Sequence, residues 1–243
     1  AVVTFTFSAT PIGFANDDLT IGSGTLSVVT VDGVDDKKYT ATFTPAVSTE
    51  EAVNVISVGT GYTDAALNTG TAASGPNYVV DTVAPTVTVV LVDDALSKNE
   101  TSLVTFTFSE TPTDFTNADL TIGNGTLSVV TVDGVDDKKY TATFTPTDNL
   151  AAGTNVISVS TGYTDAAGNA GVANSSANYS INTVAPTVAV TMDDTALNIG
   201  DTAVVTFTFS ATPIGFANDD LTIGSGTLSV VTVDGVDDKK YTA

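Results

Sequence analysis

With 243 residues, the chain has room for two domains and a little more. Its basic residues number 7, all lysine, against 28 Asp and Glu, and the formal net charge of −21 argues against nucleic acid and anionic membrane as partners. His, Cys and Trp are absent, which removes the usual general base, the thiol nucleophile, disulfides and the soft metal ligands together.

The first element is Val2-Val3-Thr4-Phe5-Thr6-Phe7, which reads as a strand rather than as a signal peptide. Val3-Thr4-Phe5-Thr6-Phe7-Ser8 recurs at positions 104–109 and again at 205–210, each time shifted by 101 residues. Thr82-Val83-Ala84-Pro85-Thr86-Val87 recurs at 183–188 with the same shift, and residues 1–41 are identical to 203–243. A period of about 100 is too long for a solenoid repeat and suits a self-sufficient β-sandwich module. Proline in the Val-Ala-Pro stretch marks the link between modules. The division is therefore 1–82, a module lacking its first strand; 83–183, a complete module; and 184–243, a module lacking its last strands. Such ends lead us to expect a window on a longer array.

Within 83–183, β-branched content and period-2 alternation predict seven strands: 86–92, 103–109, 118–122, 126–132, 139–145, 155–160 and 177–181. The second is the cleanest, with Val104, Phe106 and Phe108 on one face. Gly123-Asn124-Gly125 and Asp133-Gly134 are expected to supply left-handed turn positions. No segment has the periodicity of a long helix, and the apolar runs are too short to cross a bilayer, so no membrane insertion is expected. The predicted fold class is all-β: tandem Ig-like seven-strand sandwich modules with a 101-residue repeat.

The central module carries eleven acids and three lysines, with the acids concentrated in loops. Alternating strand direction places the linker and the loops 110–117, 133–138 and 162–176 at one pole. Asp81, Glu110, Asp165 and Asn169 are thereby expected to share one end of the module. Oxygen ligands converging from several loops suit Ca²⁺, which takes 6–8 of them in flexible geometry. The competing reading is that these are ordinary turn-forming acids.

Other candidates are weaker. Asp32-Gly33-Val34-Asp35-Asp36 lacks the Asp-x-Asp-x-Asp-Gly order and distal Glu of a Ca²⁺ loop and reads as a charged hairpin tip. Lys98 sits in a polar loop, a poor place for an isopeptide crosslink. With no His and no desolvated Lys, no nucleophile can be nominated, and no enzyme is expected. A carbohydrate-binding surface would need an exposed aromatic platform, whereas Phe and Tyr here follow the strand pattern.

Three motifs in one register carry a family resemblance: Asp81-Thr82-Val83-Ala84-Pro85-Thr86-Val87, Val104-Thr105-Phe106-Thr107-Phe108-Ser109-Glu110, and Tyr163-Thr164-Asp165-Ala166-Ala167-Gly168-Asn169. Over its whole length the chain resembles the bacterial Ig-like repeats of giant surface adhesins, the biofilm-associated and RTX-type proteins. The resemblance implies an extracellular, cell-surface stalk, stiffened by Ca²⁺ where modules meet, with adhesive specificity in other domains. Its implied partners are neighbouring modules of the same chain. The sequence departs from the pattern at Ala9 and Ala211, which replace Glu110, at Asn182, which replaces Asp81, and at Leu67, which replaces Gly168. If Ca²⁺ binds, the junction before residue 83 is therefore expected to hold it more tightly than the next. The alternative expectation is a subunit of a self-assembling extracellular filament, with other copies of itself as partners through exposed edge strands.

Overall fold

The computed structural model describes residues 1–243 as strands and turns, with three 3-10 segments of three residues each. No helix is long and apolar enough to cross a membrane. The central module is the most complete. Its strands are β1 (Val87–Leu91), β2 (Ala95–Ser97), β3 (Ser102–Phe108), β4 (Leu120–Ile122), β5 (Gly125–Leu127) and β6 (Thr131–Val132). They continue with β7 (Lys139–Pro146), β8 (Ala151–Asn155), β9 (Ile157–Val159), β10 (Asn174–Ser175) and β11 (Tyr179–Asn182).

One sheet runs β1-β3-β7-β5, with β6 also on β7, all antiparallel. Opposite it lie β4-β9-β10 and β2-β11-β8, in which β2 pairs with β11 in parallel. The inward side chains of these sheets form one core of 14 buried residues, including Val104, Phe106 and Phe108 of β3 and Ile157 and Val159 of β9. Alternation is what fills it: β3 buries every second residue and turns Leu103, Thr105 and Thr107 away. Phe115 adds an edge-on ring against Phe108 at 4.8 Å and Tyr140 at 5.3 Å.

Three predicted strands break where side chains capture the backbone. The run 118–122 begins as a 3-10 turn, because the Asp119 carboxylate accepts from Thr116 N–H at 2.8 Å. The run 126–132 divides into β5 and β6. Between them the Asn117 side chain donates to Ser128 O at 2.9 Å and accepts from Val130 N–H at 2.8 Å, standing in for a strand partner. The run 155–160 starts instead at the end of β8. There Asn155 donates from Nδ2 to Ala152 O and Tyr179 O, both at 3.0 Å, and bulges the strand. Strands β2, β8 and β10 were not predicted; they are short or rich in small residues, and only partner strands define them. In the turns, the left-handed position is Asn124, with φ 59, rather than the flanking glycines. Gly125 is needed for another reason: a Cβ there would lie 2.5 Å from Thr145 O and as close to the Phe144 ring.

The flanking modules repeat these strands where their residues allow. Residues 1–82 pair Val2–Thr6 with Lys38–Pro45 but have no strand in the place of β1. Residues 184–243 have Val188–Met192 in that place, paired with Val205–Phe209, but no opposing sheet.

Candidate functional site: an acidic junction

The link between the first two modules is anchored from both sides. Thr82 Oγ1 donates to Ala46 O at 2.7 Å and accepts from Thr49 N–H at 3.0 Å, which ties it to the first module. Pro85 is fully buried in the second, its carbonyl accepting from Val172 N–H at 2.9 Å and from Tyr163 Oη at 3.1 Å. Only Val83 and Ala84 lie between these anchors.

Beside this link the four predicted residues meet. Asp81 ends the last strand of the first module, Glu110 follows β3, and Asp165 and Asn169 belong to the loop between β9 and β10. Ligand oxygens of Asp81, Glu110 and Asp165 all lie within 4.8 Å of one another. Oxygens bound to one Ca²⁺ at 2.3–2.6 Å are at most about 5 Å apart, so this set fits around a single ion. Asn169 reaches the cluster as a donor: Nδ2 gives 2.8 Å to Asp165 Oδ2, 3.2 Å to Asp81 O and 3.4 Å to Asp81 Oδ1.

The electrostatics of the group are uneven. Asp165 is 2% exposed. Burial opposes its charge, yet its carboxyl stays below the ordinary value because the Asn169 side chain and the backbone N–H groups of Asn169, Ala167 and Gly168 hydrogen-bond to it. Glu110 is pushed up, first by burial and then by the charges of Asp165, Asp81 and Glu50, with Lys138 acting weakly the other way. The molecule's ion pairs lie elsewhere: Lys38–Asp32, Lys139–Asp133 and Lys240–Asp234, each across a hairpin tip. At that tip Asp32 Oδ1 also accepts from Val34 N–H at 3.1 Å, as a charged turn rather than a metal loop.

A family model described as the bacterial Ig-like domain matches residues 1–80, 81–181 and 182–243. The chain belongs to that family. No curated protein matches this chain. A solved structure of FdeC, an adhesin of Escherichia coli, aligns with 99% of this chain and 77% of its own, at 17% identity and a TM-score of 0.35. At that score the likeness carries no functional weight.

Among these Ig-like domains one further acid was missed. Glu50 stands directly across from Asp81 in the antiparallel pair of Glu50–Asn54 with Tyr78–Asp81, a like-charge pairing that weakens a sheet. Its signal was available by register, since Glu50, Asp81 and Glu110 are replaced 101 residues on by Ala151, Asn182 and Ala211. The three acids are present at one junction and absent from the next as a set. The first domain keeps the turn of the third motif, with Asp64 Oδ1 accepting from Ala66 and Asn68 N–H, although Leu67 holds φ 68 where the second domain has Gly168 at φ 87.

Proposed function

We propose that these domains are non-catalytic spacers of an extracellular, cell-surface adhesin, and that the junction at Asp81, Glu110 and Asp165 takes up Ca²⁺ to stiffen the connection. The observation that carries the reading is the convergence of three carboxylates from both sides of a two-residue link. Without a cation the like charges oppose one another across the junction; with one, the same charges attract and join the domains. Asp81, Glu110 and Asp165 would supply carboxylate oxygens, and Asn169 would turn its Oδ1 toward the ion in place of Nδ2. Water would complete a shell of 6–8 oxygens. Mg²⁺ suits the site less, because it demands a tight octahedron. The recurrence of near-identical domains agrees with a spacer, which needs copies rather than a unique site. The natural partners are then the neighbouring Ig-like domains of the same chain.

Thermal unfolding of the chain in EDTA and in millimolar Ca²⁺ tests this. Binding at a hundredfold excess over Kd stabilises by about 2.7 kcal/mol, a rise of roughly 10–20 °C for one domain. The rise is expected in the unaltered chain and lost in Asp81→Ala. No rise, or the same rise in Asp81→Ala, would overturn the junction site.

A further inference from the structure

The turn between β4 and β5 reads Gly123-Asn124-Gly125, the one place in the chain where glycine directly follows asparagine. Asn124 is exposed and left-handed, and its side chain is tied by one bond, from Nδ2 to Asn155 Oδ1 at 2.7 Å. Beside it, Thr147 N–H donates to Asn124 O at 3.0 Å, and Gly125 faces Pro146. Bonded and unbonded positions alternate in an antiparallel ladder, so the Gly125 N–H points away from β7. That side of β5 has no strand partner. With no Cβ on Gly125, nothing of that residue shields its nitrogen from the Asn124 carboxamide.

Two bonds lead from this turn to the next link between domains. Asn124 O holds Thr147, and Thr147 O accepts from Thr183 Oγ1 at 2.7 Å. Thr183 is 2% exposed and opens the link to the third domain as Thr82 opens the link to the second. The earlier link has the same wiring: Ala46 N–H donates to Ser23 O at 2.9 Å, and Ala46 O accepts from Thr82 Oγ1 at 2.7 Å. There, however, the turn carries Ser23, which has no carboxamide.

We propose that Asn124 is a site of spontaneous deamidation, which loosens the anchor of the link at Thr183 and spares the one at Thr82. The Gly125 nitrogen attacks Asn124 Cγ and gives up its proton, Nδ2 leaves as ammonia, and a five-membered succinimide forms. Water then opens one of the two ring carbonyls to give aspartate or isoaspartate. The sum is one water consumed and one ammonia released, with no oxidant or reductant. Both products remove the donor from Asn155 Oδ1, and aspartate sets a carboxylate in its place. Asn155 cannot turn its amide to meet it, because its Nδ2 already donates to Ala152 O and Tyr179 O. Isoaspartate goes further. Its main chain runs through Cβ and Cγ, so the carbonyl opposite Thr147 leaves the strand as a free carboxylate. Nothing in this depends on a cation at Asp81.

Peptide mapping by mass spectrometry, on the whole chain stored warm in mildly alkaline buffer with EDTA, tests the site. Asn124 is expected to show the mass gain of an acid over an amide before any other asparagine does. Hydrogen exchange tests the consequence: in the converted chain the amides of Thr147 and Thr183 should exchange at least about tenfold faster than in fresh chain. Those of Ala46 and Thr82 should be unchanged. Asn124→Ser, which carries the residue of the first domain, is expected to exchange alike before and after storage. An Asn124 that outlasts the other asparagines would overturn the proposal. So would a converted chain whose Thr147 and Thr183 amides exchange as before, or a stored Asn124→Ser chain that loosens equally. Because every arm is run in EDTA, failure here is distinct from failure of Ca²⁺ binding.

Discussion

Glu110 makes opposite contributions with and without a cation, and this can be read from one side chain. Burial and its acidic neighbours hold its folded pKa above the ordinary 4.5. Its ionised form therefore weakens the fold; that penalty is absent below 4.5 and complete above the folded value. In EDTA at neutral pH, Glu110→Gln is expected to melt higher than the unaltered chain, and the difference should vanish at pH 4. In millimolar Ca²⁺ the order should reverse, because the variant lacks a charged ligand. A variant that melts lower in EDTA would contradict the repulsion. Asp165 runs the other way: its depressed pKa gives stability present above 3.8 and lost as pH falls through the folded value. At this scale Asp81, Glu110, Asp165 and Asn169 were legible because loop polarity follows from strand alternation. Glu50 was signalled only by its joint replacement with Asp81 and Glu110 one repeat on, since it sits on a strand and its proximity is a matter of pairing register.

Among the elements, the linker and the loop between β9 and β10 behave as one piece through Tyr163. Its ring lies 5.1 Å from Phe108, and its hydroxyl donates to Val172 O at 2.8 Å and Pro85 O at 3.1 Å. Tyr163→Phe leaves Pro85 O still accepting from Val172 N–H, so the loss is about 1 kcal/mol rather than that of an orphaned carbonyl. The midpoint of the central domain should fall by roughly 4–8 °C. An unchanged midpoint, measured by melting, would show that the Tyr163 hydroxyl contacts add nothing.

On the scale of the whole molecule, near-identical repeats are joined by unlike junctions. Glu50, Asp81 and Glu110 at the first are replaced by Ala151, Asn182 and Ala211 at the second. Calorimetric titration of the chain with Ca²⁺ is therefore expected to show one tight site, which Asp81→Ala removes. Two sites of equal affinity would contradict the difference between the junctions.

The amino-acid sequence determined the fold class and the modular repeat by itself, because period-2 burial and turn chemistry are local and 101-residue identity needs no coordinates. It also placed the acids of the junction at one pole. Tertiary structure decided where the runs 126–132 and 155–160 break, since Asn117 acts on Ser128 and Val130 and Asn155 on Tyr179, backbone brought near by folding, whereas Asp119 acts locally on Thr116. It likewise set Glu50 across from Asp81, because a cross-strand partner is fixed by pairing register rather than by local pattern.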